Sequence, residues 1–241
     1  MLAPEALRLV TVEVLRPHSA VVAKSGFPTV AMGNVFDSRE IPLEAIDADR
    51  KYTPVIALHS GDASTTPRGE ASDLTDVDHR AVLDIVVELA IRAEDDNGAF
   101  ADAMAGTDPQ ARLVLSALCS KIRFLLERSA KGVRWRKLVK RIVSCEAMPF
   151  SIPDLGLRFQ RVTLRYTVEL SADCYDLDNG GLPEPLRSVA ASLPDGSYAK
   201  AKLAELAGYF LAETPDALEE IAGTVKLPGA TEITAGWSAG A

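Results

Sequence analysis

The sequence predicts an α+β fold, with a mostly antiparallel β-sheet, helices packed on one face of it, and a C-terminal helical extension. Two segments, 83–91 and 162–170, alternate strictly between apolar and polar residues. That period of two is typical of antiparallel strands with one buried face. Helical patterns occur as well, but they do not alternate regularly with the strands, so a wound parallel sheet is not predicted.

The chain is predicted to begin with a helix over residues 4–15. Pro4 suits the first turn of a helix, the following apolar residues recur every three to four positions, and Pro17 ends the pattern. Two strands are predicted next, over 29–36 and 54–60. The polar stretch 61–78 has neither a helical nor a strand period and is predicted to be a long loop.

The strand over 83–91 is predicted to bury one face, made of Leu83, Ile85, Val87, Leu89 and Ile91. A helix is then expected to begin at Asp108, because an aspartate followed by Pro109 is a typical N-cap and first turn.

A second helical piece is predicted around Trp135, Leu138, Val139 and Ile142. The strand over 162–170 follows and ends before a turn at 178–181.

The remaining residues differ in character from the rest of the chain. An Ala- and Leu-rich stretch predicts a helix over 198–211, and a short helix is expected over 217–222, before a tail rich in glycine and alanine.

Composition excludes several classes of protein. The 241 residues are 47% hydrophobic and 25% charged, which is typical of a globular chain and not of a disordered one. The net charge of −8 argues against a general nucleic-acid binder, although a local basic patch can still bind one. Three cysteines without C-x-x-C spacing predict neither a disulfide framework nor a zinc site. No stretch of about 20 apolar residues and no signal peptide is present, so we expect synthesis in the cytosol and no membrane contact.

No motif predicts catalysis. The sequence lacks the nucleophile elbow, the phosphate loop, the dinucleotide-binding glycines and the zincin helix. His59, Asp76, Asp78 and His79 are the residues that could share a metal, but their spacing fits no ligand motif. Cys145 reads as a structural thiol, because the sequence fixes no basic partner beside it. We therefore expect no catalytic residue, no cofactor and no metal, and we keep a cytosolic metal-dependent enzyme as the alternative from another class.

Charge is segregated along the chain. Residues 37–108 contain 17 acidic and 6 basic residues. Residues 121–141, the basic segment, contain nine cations against Glu127 alone; the cations are Lys121, Arg123, Arg128, Lys131, Arg134, Arg136, Lys137, Lys140 and Arg141. This pattern has three interpretations: a solvated helix face, a nucleic-acid contact, or a contact between copies of the chain.

The order of elements, together with the segments Asp37-Ser38-Arg39 and Pro54-Val55-Ile56, resembles the tail terminator proteins of long-tailed bacteriophages, also called tail completion or minor tail protein U-like proteins. The resemblance covers residues 1–176, a tail-terminator-like α+β domain. Residues 177–241 lie beyond it as the C-terminal helical extension.

The resemblance implies a structural virion protein and no enzyme. It implies a homohexameric ring that caps the tail tube, stops its polymerisation and joins it to a neck or connector protein, while DNA passes through the lumen without sequence-specific contact. Such a protein is assembled in the host cytoplasm and resides in the virion. Another head–tail connector or a baseplate structural protein is the alternative within the same class.

In such a ring, the basic segment is a candidate subunit interface or lumen surface. The candidate residues are Arg123, Arg128, Lys131, Arg134, Arg136, Lys137, Lys140 and Arg141. A head-to-tail contact between a basic and an acidic surface closes into a ring when its rotation closes. The predicted loop 61–78 is expected to dock on the tube or the neck.

Overall fold

A computed structural model describes residues 2–39, 41–47, 50–69, 77–95, 98–104, 108–152, 157–176, 181–210, 220–225 and 233–238. It confirms the α+β fold. Within these residues, six strands form one sheet in the order β1-β2-β3-β6-β5, and β4 pairs with β3. Only the β1–β2 pair is parallel, and the other pairs are antiparallel. None of the helices in the described parts of the chain has the length and apolarity needed to cross a bilayer.

The helices and strands have the following bounds. The helices are α1 (Ala3–Leu15), α2 (His18–Ala23), α3 (Pro109–Glu127), α4 (Val133–Leu138), α5 (Leu186–Ser192) and α6 (Tyr198–Ala207). The strands of the main sheet are β1 (Val35–Asp37), β2 (Thr53–Pro67), β3 (Val77–Asp95), β4 (Gly98–Ala103), β5 (Val139–Ile152) and β6 (Leu157–Leu170). A separate hairpin consists of β7 (Glu220–Val225) and β8 (Ile233–Ser238).

Helix α1 lies at the centre of the molecule. Its side chains are buried on nearly every side, as expected of a helix that is apolar all round, and it packs against α3, α4, α5, α6 and the sheet. Glu13 is the one acidic residue buried in it. Its Oε1 accepts a hydrogen bond from the backbone N–H of His18 at 3.0 Å, so the carboxylate satisfies a free donor at the start of α2.

The two alternating segments are strands of one sheet, as predicted, and they are paired with each other. Leu83, Ile85, Val87 and Leu89 are buried beneath the helices, whereas Ile91 is only partly buried. On β6 the buried set is Val162, Leu164, Tyr166, Val168 and Leu170.

The opposite face of the sheet carries ion pairs between residues that are directly opposite in the β3–β6 register. Asp84 accepts two hydrogen bonds from Arg165, at 2.8 and 2.7 Å, and Glu88 pairs with Arg161. Opposite charges at facing positions stabilise an antiparallel pair. Acidic residues of the first half of the chain are therefore neutralised by arginines of the second half.

The predicted long loop over 61–78 is largely wrong. β2 continues to Pro67 and β3 begins at Val77, so residues 61–67 and 77–78 belong to a hairpin, while 70–76 lie outside the described residues. Backbone pairing holds this part of the hairpin, and residues 61–67 are exposed, which explains why no apolar period marks them. The strand predicted over 29–36 is reduced to β1, because residues 30–33 form turns.

The predicted helical piece around Trp135 is half correct. Helix α4 ends at Leu138, and Val139 begins the edge strand β5, which pairs with β6. The helix predicted over 217–222 is wrong at 220–222, which belong to β7, while 217–219 lie outside the described residues. The predicted turn at 178–181 is described only at Gly181.

The C-terminal helices α5 and α6 pack on α1. Their buried residues belong to the same hydrophobic core as the sheet and α3; they are Leu186, Val189, Leu193, Ala199 and Leu203, with Leu182 just before α5. Residues on both sides of position 176 therefore share one core.

Candidate assembly surface

The basic segment spans the second half of α3, a 3-10 turn at Ala130–Gly132, helix α4 and the start of β5. Its apolar residues Ile122, Trp135 and Leu138 are buried, which fixes the orientation of both helices. The cations consequently lie on the outward side, where most are exposed.

The turn between α3 and α4 depends on Gly132. A Cβ atom at this position would lie 2.3 Å from the carbonyl oxygen of Leu125 and 2.4 Å from that of Leu126. Only glycine allows this close approach of backbone to backbone. The α4 cations therefore start directly beside the end of α3.

Arg136 is one of the candidate residues, and its guanidinium is used inside the chain. Its Nη1 donates to the carbonyl oxygens of Leu126 at 3.0 Å and Ser129 at 2.9 Å. Leu126 supplies one of the last carbonyls of α3, so Arg136 caps the C-terminus of the helix there. The Ser129 carbonyl lies just beyond α3 and also accepts a hydrogen bond from the N–H of Gly132 at 3.2 Å.

Two further cations of the segment have partners in their own chain. Arg123 pairs with Glu127, with 3.1 Å between Nε and Oε1, and the hydroxyl of Tyr166 donates to the same carboxylate at 2.8 Å. Arg141 pairs with Glu169 on the neighbouring strand. Of the candidate residues, the least available to a partner outside the chain are therefore Arg123, Arg136 and Arg141.

The other five candidates recur every third residue; they are Arg128, Lys131, Arg134, Lys137 and Lys140. Within the described residues, none of the five has a carboxylate within ion-pair distance. Arg134 is close enough to Glu13 to favour its charged form, but burial has the larger effect and raises the pKa of Glu13. The ninth cation, Lys121, lies over the ring of Phe124, with 5.4 Å from Nζ to the centroid.

Lys131, Arg134 and Lys137 line one wall of a cavity of about 640 Å³, the cationic cavity. The opposite wall comes from the end of β6 and from α5, with the serines Ser171, Ser188 and Ser192. Glu184 is the acidic residue of the lining, and its Oε2 accepts a hydrogen bond from the backbone N–H of Ser188 at 3.2 Å. The sequence predicted the cations but not the opposite wall, since 47 residues separate the end of α4 from the start of α5 and only packing brings the two helices together.

An apolar groove of about 830 Å³ lies between residues 24–32 and helix α3. Large apolar side chains are exposed in and around it: Val30 is 60% exposed and Met32 56%, and Val22 and Leu113 exceed 60%. Gly26 lines both this groove and a cavity of about 240 Å³, which in turn shares Lys131 and Arg134 with the cationic cavity. The apolar groove, this smaller cavity and the cationic cavity are therefore neighbours linked by shared lining residues, and we call the three together the concave strip.

The acidic first half is less available to a partner than its composition suggests. At least six of its 17 acidic residues pair with cations of the same chain; they are Asp37, Asp47, Asp78, Asp84, Glu88 and Asp108. A contact between copies of the chain therefore cannot draw on the whole excess of acid.

The residues named for a metal site do not come together. His59 faces Asp84 and His79 faces Thr65 in the β2–β3 register, so the two histidines lie about 20 Å apart along the hairpin. Asp78 pairs with Arg68, and Asp76 lies outside the described residues. No group of three potential metal ligands exists among the residues that the structure describes.

The thiols of Cys119 and Cys145 are poorly suited to nucleophilic chemistry. Burial raises the pKa of Cys145 and raises that of Cys119 to about 11. Both thiols are therefore protonated at neutral pH, and a protonated thiol is a weak nucleophile.

Comparisons with known proteins add no assignment: no protein-family profile matches the chain, and no curated protein is significantly similar to it in sequence.

Proposed function

We propose that this protein is a structural virion protein, a bacteriophage tail terminator that forms a homohexameric ring at the head-proximal end of the tail. The ring caps the tail tube and joins it to the neck or connector protein, after assembly in the host cytoplasm. The resemblance in element order supports this proposal, and the α+β fold is compatible with it.

The concave strip carries the proposal. Exposed apolar side chains rimmed by cations are the composition of a protein–protein interface, which has an apolar core and a polar rim. Val30 and Met32 would form the core of such a contact, and Lys24 and Lys121 part of its rim. An assembling subunit needs a surface of this kind.

Electron microscopy of the negatively stained protein tests the proposal, alone and after mixing with tail tubes. We expect rings with a central hole, free or at one end of the tubes. The double variant Val30→Glu and Met32→Glu should abolish them, because it places two charges in the core of the contact. Tyr209→Glu is the control for a charge placed outside the groove, since Tyr209 is 84% exposed and lies in the 3-10 turn Gly208–Phe210 that follows α6.

Circular dichroism should show the same secondary structure in all three proteins. A wild-type protein that forms no ring and binds no tube would contradict the proposed function. Rings that survive the double variant would instead show that the apolar groove is not the contact.

A further inference from the structure

We propose that the cationic cavity and the cations on either side of it bind the phosphate backbone of a nucleic acid. This inference deepens the proposed function, because it assigns a place to the contact with DNA. Its test measures nucleic-acid binding directly and does not require a ring.

The spacing of the cations is the first argument. Arg128, Lys131, Arg134, Lys137 and Lys140 are separated by three residues each, and the central three belong to a continuous helical stretch, 130–138. Residues three apart are neighbours on a helix surface. That all three central cations line the same cavity confirms that they share one side.

The lining of the cavity is the second argument. Lysine, arginine and serine side chains are the usual donors to phosphate oxygens in protein–DNA contacts. Three cations face one carboxylate here, and Glu184 already accepts a hydrogen bond from the N–H of Ser188. Counted over the residues that line the cavity, the wall therefore has an excess of two positive charges, while Arg134 also lies near the buried Glu13.

The extent of the charge favours a polyanionic chain over a small anion. Arg128 and Lys140 are exposed and lie three residues before and three residues after the cavity cations, so a stretch of 13 residues carries five cations without a carboxylate partner among the described residues. A single small phosphate could contact only the centre of this row. A backbone that carries one phosphate per nucleotide can follow all of it.

A second copy of the chain offers these cations fewer free carboxylates than its composition suggests. At least six carboxylates of its acidic half are already paired within their own subunit. The net charge of −8 does not oppose nucleic-acid binding, because salt screens charges that lie more than about 10 Å away and the local field decides the contact.

The test is a fluorescence-anisotropy titration of a short labelled DNA duplex, repeated over a series of salt concentrations. The triple variant Lys131→Gln, Arg134→Gln and Lys137→Gln removes the three cavity cations. The control variant Arg50→Gln, Lys200→Gln and Lys202→Gln changes the net charge equally, at cations that are paired elsewhere on the surface.

We expect the wild type and the control to bind with the same salt dependence. The cavity variant should bind about tenfold more weakly or worse, and its slope of log K against log salt should fall by about 2–3, since each lost phosphate contact removes about 0.9. Equal melting temperatures of the three proteins would exclude unfolding as the cause.

Three results would overturn the inference. They are absence of DNA binding by the wild type, equal weakening in both variants, and equally tight binding of polyglutamate. If the cavity variant loses self-association in sedimentation while DNA binding is absent, the cations serve the subunit contact, and the proposed ring stands without this inference.

Discussion

Val86 and Val87 are neighbours on β3 whose side chains face opposite sides of the sheet. Val87 is fully buried against the helices, whereas Val86 is only partly covered. The two positions separate the effect of burial from the effect of residue type, because the wild-type residue is the same.

Replacing Val87 by Asp should unfold the protein. An unpaired carboxylate in the core costs more than about 4 kcal/mol, which is comparable to the whole stability of many domains. Val86→Asp is the control and should remain folded. Circular dichroism and thermal melting distinguish the two, and a Val87→Asp protein that melts like the wild type would contradict the assignment of the buried face.

The burial of the Glu13 carboxyl group leads us to expect a specific dependence of stability on pH. Burial raises its pKa in the folded protein above the ordinary value of 4.5, despite nearby His18, Arg134 and Arg16, which act to lower it. Between these two pKa values, the folded state binds more protons than the unfolded state. The stability contributed by this group is therefore greatest at low pH and is lost as the pH rises through the folded pKa.

The variant Glu13→Gln should be at least as stable as the wild type at pH 7. Glutamine keeps the oxygen that accepts the His18 hydrogen bond but carries no charge. We expect urea unfolding at several pH values to show that the variant exceeds the wild type in free energy of unfolding by an amount that grows from pH 4.5 upward. A variant that is less stable at pH 7 would mean that attraction to the arginines outweighs the cost of burial.

At the scale of elements, the sequence predicted those with a strong period or a strong cap. Asp108 is the N-cap of α3, and its Oδ1 accepts hydrogen bonds from the N–H groups of Gln110 and Ala111, at 2.9 and 3.5 Å. The two alternating strands were found because the sheet buries only one of their faces.

The missed elements lack such a signal or carry a misleading one. Residues 61–67 are exposed and held by backbone pairing, which leaves no trace in the apolar pattern. A helical period does fit the residues Trp135, Leu138, Val139 and Ile142. The chain nevertheless forms a strand from Val139 onward, because its backbone pairs there with β6 and because the β-branched pair Ile142-Val143 favours a strand. Three register irregularities in β5 disturb this edge strand, as edges that avoid aggregation often do.

The candidate surface was predictable only in part. The nine cations are evident from composition, but their separation into paired, capping and unpaired residues is not, because it depends on carbonyls and carboxylates that are distant in sequence. The capping role of Arg136 shows this most clearly, since nothing in the sequence distinguishes it from Arg134.

Replacing Arg136 by Met should destabilise the protein by about 1–3 kcal/mol, because the Leu126 carbonyl at the end of α3 and the Ser129 carbonyl after it lose a charged donor. Lys137→Met next to it is the control and should change stability by less than about 0.5 kcal/mol. Chemical denaturation measures both. Equal stability of the two variants would contradict the capping role. If the role holds, a charge-reversal test of the basic segment should leave Arg136 unchanged, because its loss would destabilise the fold as well as any assembly contact.

At the scale of the whole molecule, α1 connects the parts of the chain. It packs against the sheet and α3 on one side and against α5 and α6 on the other. The core cluster contains residues from Ala3 to Leu203 and so includes both sides of position 176. The region beyond the resemblance therefore contributes to the same core as the region within it.

A chain that stops after residue 176 should consequently fail to fold. It lacks the buried side chains of Leu186, Val189, Leu193 and Leu203, which stabilise the fold by about 1.5–3 kcal/mol each, or about 6–12 kcal/mol together. That loss is of the order of the whole free energy of unfolding of a typical domain, and it also exposes α1 to water. A chain that stops after residue 210 is the matched control: it keeps all of these residues, and we expect it to stay soluble and to melt cooperatively. We would compare the solubility, circular dichroism and thermal melting of the two truncated chains. A folded 1–176 chain would show that the tail-terminator-like domain is stable without the extension.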